Sequence, residues 1–221
     1  MTTNPAIAIL GGTGQQGRGL AQRLARAGHR VIVASRDPLR ARDAVASWPG
    51  AARTIDVDDY GGAVSRADVT IVAVPFSSAA DILAGVRERL GAGSVVIDVT
   101  VPVTFAGGRM TTIDVPEGSA AEHVRAHVPD GVHVAGTFKT IPAHLLGEID
   151  RPLDCDEFVC GDSEVARDRA IALVQALPGL RPVDVGPLAR ARSIEQLTAL
   201  AIAINRRHKI HDARFRVVGL T

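Results

Sequence analysis

Residues Leu10 to Gly17 read L-G-G-T-G-Q-Q-G, between an apolar run, Ala6 to Leu10, and an amphipathic stretch that gathers Leu20, Ala21, Leu24 and Ala27 on one face. A strand that turns through Gly12, Gly14 and Gly17 into a helix is a dinucleotide-binding βα unit. Its glycines permit a tight turn, let a pyrophosphate approach the backbone, and leave helix N-terminal amides aimed at the phosphates. The expected phosphate cradle is Gly12, Thr13, Gly14, Gln15, Gln16 and Gly17. In an NAD-binding unit the second strand, about twenty residues further on, delivers Asp or Glu to the ribose hydroxyls. Here the second apolar run, Arg30–Ala34, is followed by Ser35 and Arg36, with Arg40 shortly beyond. A carboxylate would repel a 2'-phosphate, whereas a guanidinium pairs with one in a planar fork. The sequence therefore favours NADP(H) over NAD(H), with Ser35, Arg36 and Arg40 around the 2'-phosphate.

β-branched runs continue to alternate with helical stretches, which predicts an α/β protein: a Rossmann-type, doubly wound, mostly parallel sheet with a small C-terminal α/β cap. Strands are expected at Ala6–Leu10, Arg30–Ala34, Thr54–Val57, Val69–Val74, Val95–Val99 and Val132–Thr137. Helices are expected near Gln16–Ala27, Pro38–Ser47, Asp81–Leu90 and Ala120–His127. Val101 to Gly118 contains two prolines, three glycines and no sustained periodicity, so it reads as a loop or lid beside the ligand cleft. After Pro142 the pattern becomes irregular to Asp156, then gives a strand at Glu157–Cys160, a helix at Ser163–Leu177, a strand at Pro182–Val185 and a final helix from Arg190 to about Asn205. At 221 residues there is room for a cofactor domain, residues 1–145, and a small dependent cap, 146–221.

Lysine and arginine number 25 against 24 acidic residues, a net charge of +1, which gives no general attraction to nucleic acid or an anionic membrane. Any anion site must be local. Met1 to Pro5 shows no secretory signal, and apolar stretches such as Leu197 to Ile204 are too short to span a bilayer, so a cytoplasmic protein is expected. Cys155 and Cys160 fit neither a disulfide framework nor a CxxC site. His123 and His127 share a helix face at i, i+4, but no HExxH glutamate accompanies them, and no metal is expected.

Other groups border the expected cleft. The fourth strand ends in Val74-Pro75-Phe76-Ser77-Ser78 and the fifth in Asp98-Val99-Thr100-Val101-Pro102-Val103, beside the expected nicotinamide, and the sixth in Gly136-Thr137-Phe138-Lys139-Thr140-Ile141-Pro142-Ala143, a candidate border for a second ligand. The cationic run Arg206-Arg207-His208-Lys209 ends the last helix, either as a ligand patch or as a solvated terminus that complements the helix dipole. No GxSxG elbow, Ser-His-Asp arrangement or Tyr-x-x-x-Lys pair is present, and the single tyrosine is Tyr60. Hydride transfer to a ring that takes its proton from water needs no protein acid, so positioning can carry the catalysis.

Six segments in register, the opening from Gly11 to Arg36, then Val101–Val103, Thr140–Ala143, Val159–Asp162, Leu180–Leu188 and Ile204–Arg207, resemble the NADPH-dependent coenzyme F420 reductases over essentially the whole chain. The resemblance implies a Rossmann domain that holds NADP(H), with coenzyme F420, an 8-hydroxy-5-deazaflavin, as co-substrate stacked on the nicotinamide. It implies cofactor contacts at Thr13 to Gln16, Ser35, Arg36, Arg40, Phe76, Val101 and Ala143. Deazaflavin contacts would fall on Lys139, Ile141, Arg192, Gln196 and Thr198, with Lys139 and Arg192 orienting and neutralising the ring. It also implies a homodimer.

Lys139 stands where the resemblance leads one to expect histidine, and Gln196 where it leads one to expect serine. A lysine can still bond a ring oxygen or pair with the coenzyme's anionic tail. Arg192 and Gln196 share a helix face, while Thr198 lies nearly opposite Gln196, so the three reach one ring only if the helix is flanked by ligand, bent or wrapped by a partner chain. The expected activity is reversible hydride transfer between NADP(H) and F420. A reductase of a flavin or of a small carbonyl or imine compound, and a non-catalytic NADPH sensor, are the alternatives.

Overall fold

A computed structural model describes residues 5–49, 55–107 and 109–220. The expected alternation is present: β1 (Ala6–Leu10), α1 (Gln15–Arg26), β2 (Arg30–Ala34), α2 (Pro38–Ala46), β3 (Ile55–Asp58), α3 (Tyr60–Ser65), β4 (Val69–Val72), α4 (Phe76–Val86) and β5 (Val95–Asp98). Then follow β6 (Val103–Ala106), β7 (Arg109–Thr112), α5 (Ala120–His127), β8 (His133–Gly136), α6 (Ala143–Gly147), β9 (Cys155–Gly161), α7 (Glu164–Gln175), β10 (Leu180–Pro187) and α8 (Ala191–His208). Thr54, the expected start of the third strand, lies outside the described residues.

One eight-stranded sheet has the order β10-β9-β8-β5-β4-β1-β2-β3. From β8 to β3 all neighbours are parallel, and the order changes direction between β4 and β1, the place where open α/β sheets bind ligands. Strands β4 and β5 are buried at every position, which is why apolar residues occupy both of their faces, interrupted only by Thr70 and Asp98. Leu20 and Leu24 of α1, Val45 of α2, Leu145 of α6 and Leu173 of α7 pack on one face of the sheet. Ala63 of α3, Leu83 of α4, Val124 of α5 and Ile194 of α8 pack on the other. The sheet is thus doubly wound.

Strand β9 pairs antiparallel with β8, and β10 pairs parallel with β9, so the C-terminal strands extend the same sheet across residue 145. The stretch Val101 to Gly118, expected as a loop, contains the antiparallel hairpin of β6 and β7. Two short helices, α3 and α6, fall where no helix was expected. Both are too brief to establish a periodic stripe.

Side chains cap several helices: Asp37 accepts from Arg40 N at α2, Asp59 from Gly62 N at α3, Ser119 from Glu122 N at α5, and Ser163 from Ala166 N at α7. Helix α1 begins without such a cap and without an acidic residue in its first turn. Its free amides and dipole open onto the ligand side of the sheet.

Candidate functional site

Three cavities succeed one another along the loops that follow β1, β4 and β5. The largest, about 830 Å³, is lined by Thr13, Gly14, Ser35 and Arg36, by Tyr60 after β3, and by Val74, Pro75 and the first turns of α4. Val74 and Pro75 also line the second, about 350 Å³, with Gln16, Phe76, Thr100, Val101 and Ile113. Val101, Val103 and Ile113 are shared in turn with the third, about 210 Å³, which Arg192, Glu195 and Gln196 of α8 close from the far side. The trough thus runs from the end of β2 across the switch point to α8.

At the first cavity the turn depends on two glycines. Gly11 has φ +77, a left-handed conformation that disfavours any side chain, and a Cβ on Gly17 would meet the Gly11 carbonyl and lie 2.8 Å from Gly12 Cα. The motif GxGxxG includes Gly17 but not Gly11; the Gly11-Gly12 doublet was its only trace. Arg36 lines the cavity and opposes the upward push that burial gives the Tyr60 hydroxyl. Arg40 is exposed in the first turn of α2, and among the described residues neither guanidinium is engaged in an ion pair. Of the 2'-phosphate candidates, Ser35 and Arg36 line the first cavity, and Arg40 is not among its lining residues.

In the second cavity Gln16 Nε2 donates to the Phe138 carbonyl at 2.6 Å, tying α1 to the turn after β8. Phe76 stands with its ring 5.2 Å from that of His123, whose Nδ1 lies 3.0 Å from Glu117 Oε1. Ala143 opens α6 and is not among the residues lining the three cavities.

The acceptor-side residues separate into two groups. Arg192 and Gln196 line the third cavity. Ile141 is buried in the core, and the Thr198 hydroxyl donates to the backbone carbonyls of Lys139 and Ile194. The expected direct contact of Lys139 with a ring is not what the geometry presents. Its side chain is 0% exposed, with Nζ 2.5 Å from Asp98 Oδ2, 2.5 Å from the Thr100 carbonyl and 3.1 Å from Glu195 Oε1. All three ammonium donors are thereby used. Burial alone would lower the lysine's proton affinity, but Asp98 and Glu195 more than offset it and raise the pKa. For Glu195 burial is the largest cause and raises its carboxyl above the usual range, against the pull of the lysine.

Nearby, Glu157 is enclosed completely. Burial pushes its carboxyl up to about 7, although Thr140 Oγ1 and Lys139 N donate to it at 2.7 and 3.0 Å. Asp98 belongs to a strand end expected to border the cleft, though with no role for its carboxylate, whereas nothing local in the sequence marks Glu157 or Glu195 as site-associated. The cationic run of α8 starts about 20 Å along the helix from Arg192 and lines none of the three cavities. Cys155 and Cys160 are free buried thiols whose pKa values burial pushes up to about 12 and about 11, so they are poor nucleophiles.

Comparison with known proteins matches this geometry to a family. The chain is 39% identical to the F420-dependent NADP reductase of Methanothermobacter marburgensis, an alignment covering 97% of this chain and 98% of the relative. The chain belongs to the F420-dependent NADP reductase family. A sequence model of that family, described as NADP oxidoreductase, coenzyme F420-dependent, matches residues 6–102. The F420-dependent NADP reductase of Methanocaldococcus jannaschii is 34% identical over 97% of this chain and 98% of its own length. Among solved structures, the "putative F420-dependent NADP-reductase" of Arthrobacter sp. FB24 superposes with a TM-score of 0.82 at 26% identity, covering 97% of this chain and 100% of that one. The family match covers β1 to the residues just after β5, the part that builds the first cavity and most of the second. The longer alignments extend it over α8 and the third.

Proposed function

We propose that this protein transfers a hydride reversibly between NADP(H) and coenzyme F420. The observation that carries the reading is the continuous trough: a phosphate end at α1, a ring-sized middle at Thr100 and Val101, and an acceptor end at Arg192 and Gln196. The residues fit a dinucleotide phosphate on two counts, the uncapped N-terminus of α1 and the space beside Gly17 that a Cβ would fill. The bound nicotinamide supplies the hydride from its C4.

The chain's own contribution is binding, orientation and exclusion of water. Thr13, Gly14, Gln15 and Gln16 hold the diphosphate, while Ser35, Arg36 and Arg40 select the 2'-phosphate. Phe76, Val101 and Ile113 wall the ring site with apolar surface, which favours close ring contact over solvation. Arg192 orients and neutralises the deazaflavin, and Gln196 offers it an amide. Lys139 acts from behind this surface. Residues 1–145 form the cofactor part and 146–221 the cap, in a cytoplasmic homodimer. Support for the dimer is the family resemblance. Among the described residues no helix is long and apolar enough to cross a membrane.

Mixing the purified protein with NADPH and oxidised F420 and following the deazaflavin absorbance tests the reading. Bleaching with equimolar NADPH oxidation is expected. Absence of bleaching while a flavin or an imine is reduced would replace F420 with another acceptor, and tight NADPH binding with no oxidation by any of them would leave a sensor.

A further inference from the structure

One buried charge cluster connects residues that line the second and third cavities, which share Val101, Val103 and Ile113. Thr100 and Val101 line the nicotinamide side, while Glu195, with Arg192 and Gln196, lines the acceptor side. Lys139 joins them. Its Nζ binds the carboxylate of Asp98 and the carbonyl of Thr100 on one side and Glu195 on the other. Each carboxylate is held by its second oxygen as well: Asp98 Oδ1 accepts from Thr100 N at 3.0 Å and Thr100 Oγ1 at 2.7 Å, and Glu195 Oε2 accepts from Ala120 N at 3.1 Å. Thr198 Oγ1 closes the set by donating to the Lys139 carbonyl at 2.9 Å.

We propose that Lys139, Asp98 and Glu195 are positioning residues that set the spacing and orientation of the two ring sites. The inference rests on the hydride-transfer reading and adds a role for Lys139 and Asp98, which line neither ring cavity, and for Glu195 at the edge of the third. Two observations carry it. First, the bonds run to the loop that lines one cavity and to the helix that lines the other, so the cluster fixes α8 against the end of β5. Glu195 follows Arg192 by three residues and precedes Gln196 directly; holding its carboxylate sets the rotation at which both neighbours face the cavity. Second, one ammonium shared by two buried carboxylates is a costly way to hold a fold together, because apolar residues of similar volume commonly stabilise as well or better. What such a cluster supplies is a defined geometry, and a misplacement of about 1 Å at a reacting centre can cost about a hundredfold in rate.

The test uses the full-length protein and two variants, Glu195→Gln, which keeps the volume and one acceptor for Lys139, and Lys139→Met/Glu195→Leu, which removes one charge of each sign. Hydrogen exchange of the ligand-free variants is expected to accelerate at residues 99–101 and 192–198 while β1 and β4 keep their protection. With NADPH and F420, kcat is expected to fall about tenfold in the single and about a hundredfold in the double variant, with the KM for NADPH and the NADP+ dissociation constant changed less than about threefold. The isotope effect on kcat with hydride-position deuterated NADPH should rise as chemistry becomes limiting. Unchanged exchange at 192–198, unchanged kcat in the double variant, or exchange accelerated equally throughout the chain would overturn the proposal. If the natural protein itself transfers no hydride to F420, the functional reading fails, and the exchange experiment still decides whether the cluster fixes α8.

Discussion

The Gln16 side chain reaches from the first turn of α1 to the carbonyl of Phe138, 2.6 Å away, and Phe138 itself has a left-handed φ of 54 with its ring fully buried. A bulky residue in that conformation persists only where its surroundings hold it. The phosphate turn and the turn after β8 are therefore fixed by one amide, which also lines the nicotinamide cavity. Gln16→Leu, which keeps the volume and loses the bond, is expected to cost about 1 kcal/mol in urea unfolding. It should also raise the KM for NADPH by up to about tenfold, and steady-state kinetics beside the denaturation curve would separate the two effects.

Arg36 lines the first cavity, Arg40 is exposed in the first turn of α2, and among the described residues neither makes an ion pair. If they grip the 2'-phosphate, Arg36→Ala/Arg40→Ala should raise the KM for NADPH about a hundredfold, from loss of two charge-assisted contacts, and leave that for NADH nearly unchanged. Equal changes for the two nucleotides would remove the 2'-phosphate from this position.

Gly17 and Gly19 lie two residues apart on α1 but face different neighbours. A Cβ on Gly17 would press on Gly12 Cα at 2.8 Å, inside the phosphate turn, whereas one on Gly19 would lie 2.5 Å from Leu146 Cβ, against α6. Gly17→Ala is expected to abolish measurable NADP+ binding even in the folded fraction and, because its Cβ presses on backbone atoms of the turn, to lower stability as well. Gly19→Ala should cost about 1–3 kcal/mol of stability through overpacking, with binding retained in the folded fraction. Calorimetric titration of both variants checks the contrast.

Burial holds the Glu157 carboxyl near 7, above its ordinary 4.5, so the native state keeps a proton that the unfolded chain releases. Stability is then highest below about pH 4.5 as far as this group is concerned, and declines as pH rises toward about 7, by on the order of 2–3 kcal/mol. Glu157→Gln carries no such proton. Its unfolding free energy between pH 5 and pH 8 should lose this slope, and at pH 8 it should exceed that of the natural protein. Denaturant midpoints across that range, compared between the two proteins, would show a parallel decline if another group were responsible.

Local patterns made most of the sheet legible, because buried parallel strands such as Ala6–Leu10 are continuous apolar runs and α1 carries a full stripe of Leu20, Ala21 and Leu24. The phosphate turn was legible for the same reason: its residues are consecutive. What stayed hidden depends on long-range pairing. Lys139 reads as a cation at the cleft, and only the fold brings Asp98, 41 positions earlier, and Glu195, 56 positions later, to its ammonium. The hairpin of β6 and β7 was hidden differently, since Thr104, Phe105 and Ala106 are exposed and show no apolar alternation.

Arg23 is the strongest case of a charge whose role no local pattern discloses. On a helix with basic neighbours it suggests a solvated side chain, yet it is 3% exposed and donates to the carbonyls of Leu145, Leu146, Glu148 and Arg151, at 2.7–2.9 Å. Those carbonyls belong to α6 and the turn beyond it, where Leu145 and Glu148 also accept from the backbone N–H groups of Glu148 and Arg151, and burial lowers the arginine's proton affinity without a directly bonded carboxylate to offset it. Arg23→Met should therefore strip four carbonyls of this donor and cost about 2–4 kcal/mol, while Arg23→Lys, with three donors in place of a planar fork, should recover only part. Because α6 packs against α1 beside the phosphate turn, the damage should appear first as lost exchange protection at residues 143–151, before β1 and β4 open. Protection lost at the same rate across the whole sheet would instead make Arg23 a general core residue with no particular tie to α6.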